Sequence, residues 1–129
     1  MTRHDIQPES LHDPRPRYSQ GIVTEGGRLL FIAGQTAAGK DGKVIGKGDI
    51  EAQAEQVFEN LIAVLNAAGG TIDNLVMTTT YLTDIRYREA YSKVRLRYYR
   101  ISRPTSTLVV VKALGQEDFM IEIDGIAVI

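Results

Sequence analysis

The chain has 129 residues, 43% of them hydrophobic and 24% charged, with a formal net charge of -1 and no cysteine. That length suits one domain able to bury a core without disulfides or a structural metal. The balanced charge gives no electrostatic drive toward nucleic acid or an anionic membrane, and the missing thiols exclude a thiolate nucleophile, a disulfide framework and a cysteine metal site.

Residues 1–17 hold Pro8, Pro14 and Pro16 together with both histidines, His4 and His12, a composition that predicts an irregular arm ahead of a domain over 18–129. The N-terminal residues are polar, without the apolar core of a signal peptide, and no apolar run approaches the roughly 18–20 residues of a bilayer span, so a soluble, cytoplasmic protein is expected.

Strand-like runs at Tyr18–Val23 and Arg28–Ala33 flank Thr24-Glu25-Gly26-Gly27, and the paired glycines predict a tight hairpin. Thr36–Gly48, rich in Gly and Lys, reads as a loop with at most a short strand. Asp49 is a good N-cap for a helix in which Ala54, Val57, Phe58, Leu61, Val64, Leu65 and Ala68 recur at helical spacing before Gly69-Gly70. Leu75–Leu82 is dominated by β-branched and aromatic residues and predicts a central strand. A second helix is expected from about Tyr87, with Ala90, Tyr91, Val94 and Tyr98 on one face, ending before Arg103-Pro104. Strands at Thr107–Ala113 and Phe119–Ile129 complete a β-β-α-β-α-β-β order. It predicts an α+β domain with one sheet, both helices on one face, and an apolar opposite face that self-association would cover.

Nine pieces in order, Tyr18–Gln20, Phe31–Gln35, Gly48–Gln53, Phe58–Leu61, Ala67–Gly70, Asp73–Val76, Tyr81–Asp84, Arg103-Pro104 and Ile121–Val128, resemble the RidA/YjgF family. The likeness runs from Tyr18 to Val128. It implies a chorismate-mutase-like fold, a homotrimer around a barrel of sheets, and ligand clefts between subunits. It also implies hydrolysis of enamine and imine intermediates to ammonia and a 2-keto acid, with no metal or cofactor.

On that resemblance Glu122 is the water-positioning carboxylate, and Tyr18 and Gly34 border the ligand. Taken alone, each also has a plainer reading: a solvent-facing carboxylate on an alternating strand, a half-buried packing tyrosine, a strand-ending glycine. The carboxylate-binding arginine of the family, two positions after a proline, is replaced in Arg103-Pro104-Thr105-Ser106-Thr107 by Ser106. A hydroxyl gives one neutral donor where a guanidinium gives a bidentate, charge-assisted pair. Ser106 and Thr107 are left to shape the pocket. On the second helix Ser92 matches a ligand-facing position, and Arg95, one turn on, either supplies the missing anchor or joins Arg88, Arg97 and Arg100 in a solvated basic face.

Other chemistry lacks a pattern. The histidines have no metal-ligating or triad partners, Gly39–Lys43 lacks P-loop spacing, and no basic stripe is interleaved with stacking aromatics for nucleic acid. The expected partners are a small-molecule ligand and further copies of the chain, with no membrane. Two functions follow: a cofactor-independent enamine/imine deaminase or related hydrolase, or a noncatalytic metabolite-binding or regulatory trimer.

Overall fold

The computed structural model describes residues 1–129. Its strands are β1 (Thr2–Ile6), β2 (Gly21–Glu25), β3 (Leu29–Thr36), β4 (Leu75–Leu82), β5 (Thr105–Val110) and β6 (Ile121–Val128), and its helices α1 (Ile50–Ala67) and α2 (Arg88–Tyr98). Four strands form a mixed sheet in the order β3-β6-β4-β5, with β6 antiparallel to both β3 and β4 and β5 parallel to β4. This is the expected α+β arrangement. No helix is long and apolar enough to cross a membrane.

Helix α1 starts where Asp49 accepts a hydrogen bond from the Ala52 amide at 3.1 Å. It ends in a paired-bond turn, Gly69 N–H to Asn66 and Gly70 N–H to Leu65, for which Gly69 adopts φ 87°. Its inner face buries Ala54, Val57, Phe58, Leu61 and Leu65 against Ile32, Leu75, Leu82, Ile121 and Ile123 of the sheet. Helix α2 lies on the same side, since the Tyr91 hydroxyl accepts a bond from Thr80, a buried β4 residue in register with Ile123. Phe58 joins the two helices: its ring stacks on Tyr98 at 4.7 Å and meets Tyr99 edge-on at 5.4 Å. Gln53, fully buried, donates to the carbonyls of Gly46 and Asp118 and accepts from the Met120 amide. One side chain thereby ties three loop groups together and fixes the entry to β6.

The opposite face of the sheet has no layer over it. Leu29 and Phe31 on β3 are 63% and 69% exposed, and Met77 on β4 is 49% exposed.

The predicted hairpin does not form. β2 pairs with β1 in a separate two-stranded ribbon, while β3 pairs with β6, and Gly26 and Gly27, at φ 72° and 83°, carry the chain from one sheet to the other. A Cβ on Gly27 would come within 2.9 Å of Val128, so the crossing runs hard against the end of β6. The arm over 1–17 is likewise not irregular throughout, because residues 2–6 are β1. β1 is mostly polar and exposed, so no hydrophobic alternation announces it; pairing with β2 and the hydrogen bonds of Arg3 make it a strand. The loop after β3 holds a single bridge, between Ala38 and Val44.

The core predicts its own test. Phe58→Ala should lower unfolding free energy by about 3–5 kcal/mol, whereas removing the cap with Asp49→Ala should cost about 1 kcal/mol. Urea denaturation of both variants checks the ratio, and equal losses would refute the central place given to Phe58.

Candidate functional site

Strand β6 buries Ile121, Ile123 and Ala127 beneath the helices, so Glu122 and Asp124 face the uncovered side. Glu122 lies in register with Thr36 of β3 and Tyr81 of β4. The β3 register slips between Ile32 and Gln35, and the resulting bulge sets Gly34 beside the Glu122 side chain. A Cβ on Gly34 would lie 2.2 Å from Glu122 Oε2 and 2.7 Å from Cδ. The carboxylate therefore occupies space that only a glycine leaves open.

Next to it the Tyr81 hydroxyl donates to Asp124 Oδ2 at 3.0 Å. That bond to an anion is the main cause raising the Tyr81 hydroxyl above its usual range, with Glu122 adding a smaller push in the same direction, so Tyr81 stays a neutral donor. A cavity of about 440 Å³ opens beside the bulge, lined by Gly34, Gln35, Thr36, Lys40, Asn60 and Val64. Asn60 donates to the carbonyls of Thr36 and Ala38 and ties this loop to α1.

The remaining candidates gather at the other edge, around β5. Ser106 is in register with buried Thr78, on the side where Leu108 packs against the core, whereas Thr107 is in register with Thr79 and Asp124 and shares the uncovered face with Glu122. The two neighbours thus serve opposite faces. Tyr18 is half-buried, its hydroxyl 3.3 Å from His12 Nε2, and the following Ser19 amide bonds the Pro104 carbonyl at the start of β5.

Arg95 is not part of a solvated basic face. It is only 5% exposed, with its guanidinium 4.9 Å above the Tyr91 ring. Two long hydrogen bonds, 3.5 Å to the Tyr91 hydroxyl and 3.4 Å to Ser92 Oγ, are its only polar partners; Nε has none, and no carboxylate pairs with it. The fully buried Tyr99 hydroxyl also lacks a partner, and burial pushes it well above the ordinary tyrosine range. The layer between α2 and the β4–β5 edge therefore holds a cation without a counter-ion, in the same layer that Ser106 faces. Arg97, by contrast, is an exposed arginine paired with Glu51 at 2.7 Å and Glu55 at 2.8 Å.

Within one chain the structure brings together Glu122 with Gly34, and Ser92 with Arg95. It does not bring these pairs to one another: Glu122 faces the uncovered side of the sheet, whereas Ser92 and Arg95 lie on α2 over the covered side, and Thr107 on β5 is two strand spacings from β6, roughly 10 Å, and three from β3, roughly 14 Å. Asp124 and Tyr81 were not singled out in the sequence, although the same alternation that exposes Glu122 places them on its face. Arg3 and Asp5, which tie the arm to the start of β5 through Ser19, left no sequence signal.

The family model described as Endoribonuclease L-PSP matches residues 9–129, so β1 lies ahead of the match. A RutC family protein of Pyrococcus horikoshii is 38% identical over 92% of each chain, and Protein DfrA of Myxococcus xanthus is 37% identical over 99% of this chain and 97% of its own. Among solved structures, YyfB of Yersinia pestis, a Rid family protein of unknown function, superposes with a TM-score of 0.93 at 32% identity over the whole of both chains. RidA from an Antarctic Psychrobacter gives 0.74 at 30% identity, covering 98% of this chain and 99% of that one. With the mixed sheet and both helices matched along their length, this chain belongs to the RidA/YjgF family, the family that also bears the Endoribonuclease L-PSP description.

Proposed function

We propose that this protein is a cytoplasmic, cofactor-independent enamine/imine deaminase whose site is completed between protomers of a homotrimer. The observation that carries the reading is the Glu122 carboxylate, seated against Gly34 on a sheet face with no layer over it. Exposed Leu29, Phe31 and Met77 on that face call for an apolar cover, and further copies of the chain supply one. Apposing the β3 edge of one protomer to the β5 edge of another brings Glu122 and Gly34 to Tyr18 and Thr107, which one chain holds apart.

In this site the enamine first tautomerises to the imine. Glu122 accepts a proton from water as the water oxygen bonds to the imine carbon and the C=N π pair moves onto nitrogen, and it then passes that proton to the nitrogen. The carbinolamine then expels ammonia as the carbonyl forms. A preorganised acid/base group contributes about 10²–10⁴ to such a step.

The substrate carboxylate falls to Arg95. A buried guanidinium with two long bonds and a free Nε is poorly compensated as it stands, and a carboxylate in reach would complete it. Ser92, which accepts from Arg95, has its own proton free to donate to the same anion. A second reading, a trimer that binds carboxylates without turning them over, is favoured by Ser106 standing where the family's anchor arginine does.

Expected outcomes separate the two. Glu122→Gln should cut imine turnover by roughly 10² while sedimentation still shows a trimer. Gly34→Ala, which thrusts a methyl into the carboxylate, should act in the same direction. Unchanged turnover in Glu122→Gln removes Glu122 from the mechanism, and a wild type that binds 2-keto acids without any turnover establishes the binding-only reading. With imines generated in situ by an amino-acid oxidase, Arg95→Ala should raise KM by roughly 10- to 100-fold, the worth of one charged hydrogen-bonded contact. Ser106→Arg should lower activity, because the new guanidinium enters the layer Arg95 already fills; full activity in Arg95→Ala would show that another group holds the carboxylate.

A further inference from the structure

The chain ahead of the family match takes part in a dense polar junction. Arg3, its side chain 12% exposed, donates from Nη1 to the carbonyls of Asp73 at 3.1 Å and Leu75 at 2.9 Å, from Nη2 to the carbonyl of Arg103, and from Nε to Asp5 Oδ1 at 2.9 Å. The other oxygen of Asp5 lies 3.0 Å from Ser19 Oγ, a 4% exposed hydroxyl that is also 2.8 Å from the Arg103 carbonyl. Ser19 N–H bonds the Pro104 carbonyl at 3.0 Å, Arg103 Nε bonds the Pro16 carbonyl at 2.8 Å, and Ser102 N–H reaches Asp73 Oδ1 at 3.2 Å.

Four separate stretches of chain meet there: β1, residues 16–19, the entry to β4 and residues 102–104. Tyr18 sits between the two anchored residues of its own stretch, and Thr105–Thr107 follow directly on the other. The planar fork of a guanidinium suits three carbonyls at fixed directions, and a lysine ammonium does not reproduce it.

We propose that Arg3 is a positioning residue for the ligand site: through Asp5 and Ser19 it sets Tyr18 against the first residues of β5, and β1 is thereby part of the binding apparatus. This rests on the reading that Tyr18 and the start of β5 border the ligand. A simple staple would add stability and leave the affinity of the folded protein unchanged. A positioning role ties affinity to the junction itself, because contacts displaced by about 1 Å lose much of their worth.

The test compares the full chain with Arg3→Ala and Arg3→Lys, well below the melting temperature of each. Segment-resolved hydrogen exchange is measured together with titration of 2-oxobutyrate followed by NMR. In both variants, amides in residues 16–20 and 102–107 should exchange on the order of tenfold faster while α1 and the middle of β6 keep their rates, and the affinity for 2-oxobutyrate should fall on the order of tenfold. Unchanged or uniformly raised exchange overturns the proposal, as does wild-type affinity in a variant whose two segments have loosened, or full recovery with lysine. A wild type that hydrolyses no imine fails the enzymatic reading alone, since both measurements are made without turnover. A wild type that does not bind 2-oxobutyrate overturns the positioning role as well.

Discussion

The alternation of β6 is the constraint on which the rest of this structure turns. Placing Ile121, Ile123 and Ala127 under the helices is a packing requirement, and with a period of two it leaves Glu122 and Asp124 no choice of face. Slipping the strand by one residue would bury both carboxylates under Phe58 and Leu61 and expose the isoleucines. The register that makes the core therefore also makes the candidate site, and the β3 bulge then fits Gly34 to the carboxylate that the register delivers.

A layered domain normally buries both faces of its sheet or presents a polar one to water. Here the uncovered face mixes Leu29, Phe31 and Met77 with Glu122, Asp124 and Tyr81. The polar members are not scattered: the Tyr81 hydroxyl already satisfies Asp124, while Glu122 lies against a glycine and forms no ion pair. An apolar surround with one unspent carboxylate is what a shared cleft requires. On the proposed reading the apolar residues supply the association, and the carboxylate is left for the ligand.

Elements whose burial follows a simple period were legible in the sequence. β4 has the predicted bounds, and α1 runs between its predicted cap and its terminating glycines, because burial there is one-sided and the end signals are local. What failed was long-range: the glycine pair does make a sharp turn, but whether it closes a hairpin or passes the chain between sheets depends on a partner nearly a hundred residues away and on a polar first strand. The candidate site divides the same way. Alternation exposed Glu122, whereas the fit of Gly34 depends on a bulge, and the junction around Arg3 depends on backbone carbonyls that carry no residue-type signal. A helical pattern counts arginine as polar and assigns it to solvent, so the burial of Arg95 could not be read from spacing.

That burial also bears on how a member of this family can lack the strand arginine. Ser106 and Arg95 face one layer, between the β4–β5 edge and α2, so a cation lost from the strand has a counterpart on the helix above it. The exchange is not neutral in geometry. A guanidinium carried on a strand is aimed by a rigid backbone, whereas Arg95 is aimed by Tyr91, whose ring it overlies and whose hydroxyl is itself held by Thr80 at 2.9 Å. On the proposed reading, the Tyr91–Thr80 bond is part of the anchor, and the anion Arg95 reaches lies toward α2 and Ser92. On the proposed reading, a carboxylate held by Arg95 sits farther from the sheet than one held by a strand arginine.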